Sequence, residues 1–414
     1  MEKTRPILYG VADYAQIRKK NGWFIDRTAK IRDLEATAYA MFLRPRRFGK
    51  SFLVSMLQYY YDVAFADRFD ELFGGTDIGT APTGEHGGYL VLYFDFSGIS
   101  KEADKVQEDF DFYVSLRCDS FARDYARVLP EGLAERILEA PDSRKKMNVI
   151  VSGLRSGTDK LYVLIDEYDN FTNTILDESG EKAYNDLCHG DGFFKQFFAI
   201  LKTATSGVNA PVTRLFITGV SPVTMDDVTS GFNIGTNISL DPQFADFTGF
   251  RHDDLRAISD YYAAQCGFDA DKAYNTAREW FDNYRFGSFE APPIANTTIV
   301  LSFFSYIWRT KRFPNELVDE NLRTDYAKIR HLITVNNRLN GNFHILEDIV
   351  SGGAPVMEQL AKIKAEAIDQ LDQYSSDPAL IAEWHIGVAG VPPVAIHRLV
   401  LVFHGGECIL NEEV

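Results

Sequence analysis

The sequence predicts an α/β fold on a parallel sheet, followed by a helical module and a small α/β piece at the C-terminal end. Three observations predict it. Short apolar runs without polar alternation (Tyr39–Leu43, Leu161–Ile165, Arg214–Val220) have strand length and the composition of strands covered on both faces. Helical patterns alternate with these runs through residues 1–245, the arrangement that parallel sheets require. Beyond that point the texture changes to aromatic-rich helical segments joined by Gly and Pro.

In chain order, WFIDRTAKIRD (Trp23–Asp33) leads into the first strand, Tyr39–Leu43, which breaks at Arg44-Pro45. Lys50 to Asp62 follows as an amphipathic helix with Phe52, Leu53, Met56, Leu57 and Tyr60 on one face. A polar, Gly-rich connection (Gly74–Gly88) precedes a second strand in YLVLYFDFS (Tyr89–Ser97), and Glu102 to Val128 reads as mostly helical. LYVLI (Leu161–Ile165) is the third strand, Phe193 to Thr205 a helix, and RLFITGV (Arg214–Val220) the fourth strand. His252–Cys266, Ala270–Tyr284 and Thr297–Arg309 supply the helices of a lid or winged-helix-like module, 246–350. The last stretch, 351–414, holds a long polar helix (Val356–Tyr374), a Pro392-Pro393 loop and one apolar strand, HRLVLVFHG (His397–Gly405).

Composition bounds the function. With 414 residues, 45% of them hydrophobic and 13% aromatic, the chain can bury a large core, which excludes a disordered protein. A formal net charge of −16 repels nucleic acid in bulk, so any DNA contact needs a local basic patch. Cys118, Cys188, Cys266 and Cys408 form neither a CxxC pair nor a metal-ligand spacing, the pattern of reduced thiols. MEKTRPILYGVADYAQIRKK lacks the apolar core of an export signal, and no apolar run is long enough to span a bilayer. A cytoplasmic protein without a membrane partner is expected.

The chemistry sits at two strand ends. Arg44-Pro45-Arg46-Arg47-Phe48-Gly49-Lys50-Ser51 lies between a strand and a helix, where a phosphate-binding loop (P-loop, Walker A) must lie. Backbone N–H groups at the helix start point at phosphate, the Lys50 ammonium reaches the β and γ oxygens, and the Ser51 hydroxyl ligates Mg²⁺. Gly49 lets the backbone approach closely. Arg46, Arg47 and Phe48 complete the expected nucleotide-binding set. Where the usual pattern opens with Gly, this chain has Arg44; with Arg46 and Arg47 it adds cations that hold phosphate, grip an acidic neighbour or solvate the loop.

The second strand end is LYVLIDE, an apolar strand closing on two carboxylates, the Walker B pattern. At the C-terminal edge of a parallel sheet these fall beside the phosphate loop of a neighbouring strand. Asp166 is the expected Mg²⁺ ligand together with Ser51, and Glu167 the group that orients or deprotonates the attacking water. Asp169 is expected to point outward or to stand behind the metal site. Thr218, ending the next strand, is placed to sense the γ-phosphate or the water. Arg251, Arg256 and Arg285 are the candidates for an arginine that closes on the nucleotide.

WFIDRTAKIRDL, LRPRRFGKSFLVSML, YLVLYFDFS, LYVLIDEYDN, LFITGVSPVTMDD, SLDPQFADFTGF and WFDNYRFG, in that order, resemble the bacterial AAA-ATPase-like family. The resemblance covers residues 5–310, and the family's own loop also has Arg in place of the first Gly. It implies an additional-strand, AAA-like ATPase core using ATP and Mg²⁺, with Lys50, Ser51, Asp166 and Glu167 in the nucleotide site. Members often carry a C-terminal nuclease-like domain of the PD-(D/E)XK superfamily. AEAIDQLDQYSSD (Ala365–Asp377) and HRLVLVFHGGECI (His397–Ile409) are similar to its helix and late strand, yet no strand before them bears Glu-x-Lys. A truncated, inactive remnant or a missing segment is therefore expected, since metal-dependent cleavage needs those carboxylates and the lysine together.

The leading expectation is an ATP-hydrolysing, nucleotide-dependent switch. Its alternatives are a nucleotide-binding scaffold with little turnover and an ATPase-controlled effector nuclease. The partner on which the cycle acts, protein or nucleic acid, stays open, and an oligomer is compatible with either.

Overall fold

The computed structural model describes residues 4–155, 160–190, 192–221, 235–281, 284–287, 291–314, 399–404 and 407–413. The chain gathers into two compact units, 1–319 and 320–414. The first contains the sheet and all the helices described here.

That sheet has five strands, β1 (Tyr39–Leu43), β2 (Leu90–Asp95), β3 (Leu161–Asp166), β4 (Val212–Gly219) and β5 (Thr236–Asn237). They lie in the order β2-β3-β4-β1-β5, and every pairing is parallel. Successive side chains of a strand face opposite sides, and the cores record it. Met41 and Leu43 of β1 join one buried cluster with Leu92, Phe94, Val163, Ile165, Leu215 and Ile217. Ala40 and Phe42 join another with Val91, Tyr162, Leu164 and Phe216. Burial on both faces is why these strands read as unbroken apolar runs. β4 is inserted between β1 and β3, the order an additional-strand sheet has, so the phosphate loop and the Asp-Glu pair face each other across a strand and not from adjacent ones.

The first core face is covered by α1 to α4 of a set numbered here as α1 (Val106–Asp124), α2 (Ser143–Leu154), α3 (Asn170–Cys188, broken at Gly180 with φ 83°) and α4 (Phe193–Ala204). On the opposite face lies the helix after β1, Lys50–Tyr61, which buries Leu53, Val54, Met56, Leu57, Tyr60 and Tyr61. Helices α5 (His252–Cys266), α6 (Ala270–Phe281) and α7 (Thr297–Thr310) pack around a third cluster that includes Leu255, Ile258, Tyr262, Phe303 and Phe304. This described part of the 246–350 segment belongs to the same compact unit as the sheet.

In the second unit, β6 (Leu399–His404) pairs antiparallel with β7 (Glu407–Glu413). The sequence anticipates β6 but not β7. The expected helix Val356–Tyr374 and the Pro392-Pro393 loop lie outside the described residues. No helix among the described residues is long and apolar enough to cross a membrane.

Candidate nucleotide site

The loop between β1 and the helix Lys50–Tyr61 is shaped by two left-handed residues, Arg47 (φ 65°) and Gly49 (φ 88°). Gly49 is needed there because an L side chain is strained at such φ. Lys50 is buried, its Nζ 3.1 Å from the Arg44 carbonyl and 3.2 Å from that of Pro45. It also stands 4.0 Å from Glu167 Oε1. Burial pushes the ammonium pKa down, and the charges of Glu167, Asp166 and Asp169 pull it back up. The N–H groups of Arg47, Phe48 and Gly49 donate no hydrogen bond to any described residue. Three such donors in a row form a concavity suited to an anion.

Arg44, in the place of the usual first Gly, is almost wholly buried and does not face this concavity. Its Nη1 donates to the carbonyls of Leu43 (2.8 Å) and Ser239 (2.7 Å), and its Nη2 to those of Phe244 (2.9 Å) and Ala245 (3.3 Å). The guanidinium is sandwiched between the rings of Phe42 and Phe286, 4.2 and 3.8 Å from their centroids. Phosphate contact by Arg44 is thus replaced by a structural task, tying the end of β1 to the segment after β5. Arg46 and Arg47 remain exposed at the loop surface. Phe48 is buried with Ala245, Tyr284, Phe286 and Ile294, so its backbone N–H is what it offers to a ligand.

Across β4, Asp166 is buried, and its Oδ1 accepts from the Thr218 hydroxyl and from the Glu167 N–H at 3.0 Å. Its Oδ2 is buried with no hydrogen-bond partner among the described residues. Burial raises the Asp166 pKa, and the Ser51 and Thr218 hydroxyls beside it lower it. A hard cation is the natural partner for an orphaned carboxylate oxygen next to a hydroxyl, so this donor set fits Mg²⁺. Glu167 takes a left-handed φ of 52°, uncommon for a residue with a side chain, and burial raises its pKa.

The cause of that backbone lies in the next two residues. Tyr168 N–H donates to the Thr218 carbonyl at 3.0 Å, and its hydroxyl to the Ser221 carbonyl. The Asp169 carboxylate accepts from Val220 N (3.1 Å), Ser221 N (2.7 Å) and Asn173 Nδ2 (2.8 Å). Both side chains strap the turn to the exit of β4. Asp169 is therefore buried behind the site; the outward alternative does not occur. Gly219 is required at this crossing, since a Cβ there would lie 2.4 Å from the Tyr168 ring.

A cavity of about 280 Å³ opens along Arg47–Leu53 and reaches Glu167. Its far wall is apolar, made by Leu8, Val11, Trp23, Ile25, Phe250 and Leu301, and Arg27 and Thr297 also line it. Sequence reasoning missed this wall, which draws on four separated segments without a local motif. The three arginines proposed to close the site are engaged elsewhere. Arg251 pairs with Asp246 and Asp254, Arg256 with Asp260 and Asp271, and Arg285 donates to the Ala291 carbonyl.

A parallel sheet with one strand between a Gly-Lys-Ser loop and an Asp-Glu strand end has the arrangement of a P-loop-like core. Residues 8–229 match the family model described as Predicted AAA-ATPase, and the chain belongs to this AAA-ATPase-like family. No curated protein matches the chain.

Proposed function

We propose that the chain binds ATP with Mg²⁺ at the Gly49-Lys50-Ser51 loop and hydrolyses it, as a nucleotide-dependent switch. The observation that carries this is Asp166, a buried carboxylate with one unpartnered oxygen, held beside Ser51 and Lys50. The β- and γ-phosphates would take the free N–H groups of Arg47, Phe48 and Gly49, and Lys50 would exchange its loop carbonyls for phosphate oxygens. Ser51 and Asp166 would hold Mg²⁺, which supplies charge neutralisation at the phosphoryl oxygens. Glu167 would orient a water for in-line attack on the γ-phosphorus and take its proton as the bond to the β-phosphate oxygen breaks and ADP leaves. Thr218 would act through Asp166, whose carboxylate its hydroxyl already holds. The apolar wall of the cavity would cover the base. Helices α5 to α7 would act as the lid that reads the nucleotide state.

A second reading, tight binding with little turnover by the isolated chain, is favoured by the engagement of Arg251, Arg256 and Arg285 in other contacts. The effector-nuclease alternative concerns the 351–414 piece, of which 399–404 and 407–413 are described. Calorimetry with MgATP, together with phosphate release by wild type and Glu167→Gln, tests the proposal. Binding by both with release lost only in Glu167→Gln is the expected result. Binding by wild type without any release would establish the second reading, and no binding would refute both.

A further inference from the structure

We infer that Asn296, Thr297 and Thr298, at the start of α7, are positioning residues of the phosphate site, an inference that rests on the proposed ATP binding. These residues stand some 250 positions from the loop they touch, and each engages one of its carbonyls. Asn296 Nδ2 donates to Arg46 O at 3.2 Å. The Thr298 hydroxyl and N–H both donate to Arg47 O, at 2.9 and 3.2 Å. The Thr297 hydroxyl donates to Phe48 O at 3.0 Å. Three consecutive peptide carbonyls of the loop are thus held from one side.

Peptide geometry turns this brace into a device for anions. Among the described residues every peptide bond is trans, so each C=O points opposite to the N–H of the following residue. Fixing the carbonyls of residues 46, 47 and 48 therefore fixes the N–H groups of Arg47, Phe48 and Gly49, the same three that lack a partner. A hydrogen bond received at the carbonyl also polarises its peptide and makes the N–H a stronger donor. Without the brace, a peptide flip would aim a carbonyl at the phosphate and repel it.

The brace is itself anchored. Asn296 is buried and caps α7, its Oδ1 accepting from Thr298 N at 3.0 Å. The preceding residues are tied by Ala295 to Phe250 (2.8 and 3.0 Å) and by Ile294 to Tyr284 (2.8 Å). Helix α7 is consequently coupled to the peptide groups of the loop, through its Asn296, Thr297 and Thr298 side chains and the Thr298 N–H.

Two near-isosteric variants, Thr297→Val and Thr298→Val, each remove one hydroxyl donor, and Thr297→Ser and Thr298→Ser restore it. The affinities of MgATP and of inorganic tripolyphosphate with Mg²⁺ are measured by calorimetry on the full chain, with Lys50→Ala as control and thermal melts to verify folding. Each Val variant should weaken both ligands by a similar factor, roughly 3- to 30-fold, and each Ser variant should recover wild-type affinity. Wild-type affinity in both folded Val variants, with Lys50→Ala still defective, would overturn the brace and leave the ATP site standing. Loss in the Val variants that Ser does not rescue would also overturn it, by assigning the effect to packing. Absence of MgATP binding by wild type would overturn the underlying site and the brace with it.

Discussion

Arg44→Gly gives the phosphate loop the glycine that such loops ordinarily carry, and the expected result is a less stable protein. The wild-type guanidinium satisfies four carbonyls, those of Leu43, Ser239, Phe244 and Ala245, and lies between two aromatic rings. Hydrogen bonds from a charged donor contribute about 1.5–3 kcal/mol each in isolation. Their sum overstates the loss, because the buried cation costs desolvation energy, its Nε is unpartnered, and Phe244 O has a second donor in Phe247 N–H. Truncating one side of such a buried polar set removes about 3–5 kcal/mol, and a flexible Gly adds about 0.5–1 kcal/mol. With a urea m value of about 3 kcal/mol/M, the midpoint of unfolding should fall by roughly 1 M or more. Urea titration followed by circular dichroism measures it, and calorimetry with MgATP runs in parallel. A midpoint unchanged from wild type, or tighter ATP binding at equal stability, would refute the structural assignment of Arg44.

Other outcomes follow from the same geometry. Lys50→Ala should lose about 1.5–3 kcal/mol of ATP affinity, read by calorimetry, with the unfolding midpoint preserved. Asp166→Asn should abolish the dependence of ATP binding on Mg²⁺, whereas Glu167→Gln should retain MgATP and stop phosphate release; equal loss of binding in both would make Glu167 a ligand or a structural group. Burial raises the pKa of both Asp166 and Glu167. A carboxylate with a raised folded-state pKa contributes stability present at low pH and lost as pH rises through that pKa. Melting temperatures without Mg²⁺ should therefore be higher for Asp166→Asn than for wild type at neutral pH, with the gap closing on acidification. MgATP affinity should run the other way, weakening as pH falls at values higher than an ordinary carboxylate would give.

What was legible in the sequence was local or periodic. β1 to β4 could be placed because strands buried on both faces leave no polar residue to blur them, as in LYVLI. The loop residues Lys50 and Ser51 and the pair Asp166-Glu167 could be found because each chemistry requires neighbours along one stretch of chain. Helix α3 went unread for the opposite reason. NFTNTILDESGEKAYNDLC mixes polar residues through its length and is broken at Gly180, so no single apolar stripe persists. β5 has two residues, too few to carry a pattern. Apart from the Leu43 carbonyl, the backbone groups that Arg44 and Asp169 serve lie 51 to 201 residues away. Backbone groups leave no trace in side-chain identity, so a residue that serves them looks like any other arginine or aspartate.

Three local conditions that a protein core normally avoids meet at the same place. Among the described residues, Asp166 buries a carboxylate oxygen without a partner, Glu167 sits at positive φ, and three loop N–H groups have no acceptor. The first two are costly by themselves, by roughly 1–3 kcal/mol each. Their common remedy is one ligand that brings a cation to Asp166 and oxygens to the N–H groups. Lys50 opposes it, because its bonds to the Arg44 and Pro45 carbonyls must break before it can reach a phosphate. The free site is thus biased in two directions, toward the ligand through unsatisfied groups and away from it through the folded-back lysine. On the proposed function this balance favours a switch over a permanently loaded site. Part of the binding energy would go into moving Lys50, while the loop itself is already held by α7 through its carbonyls.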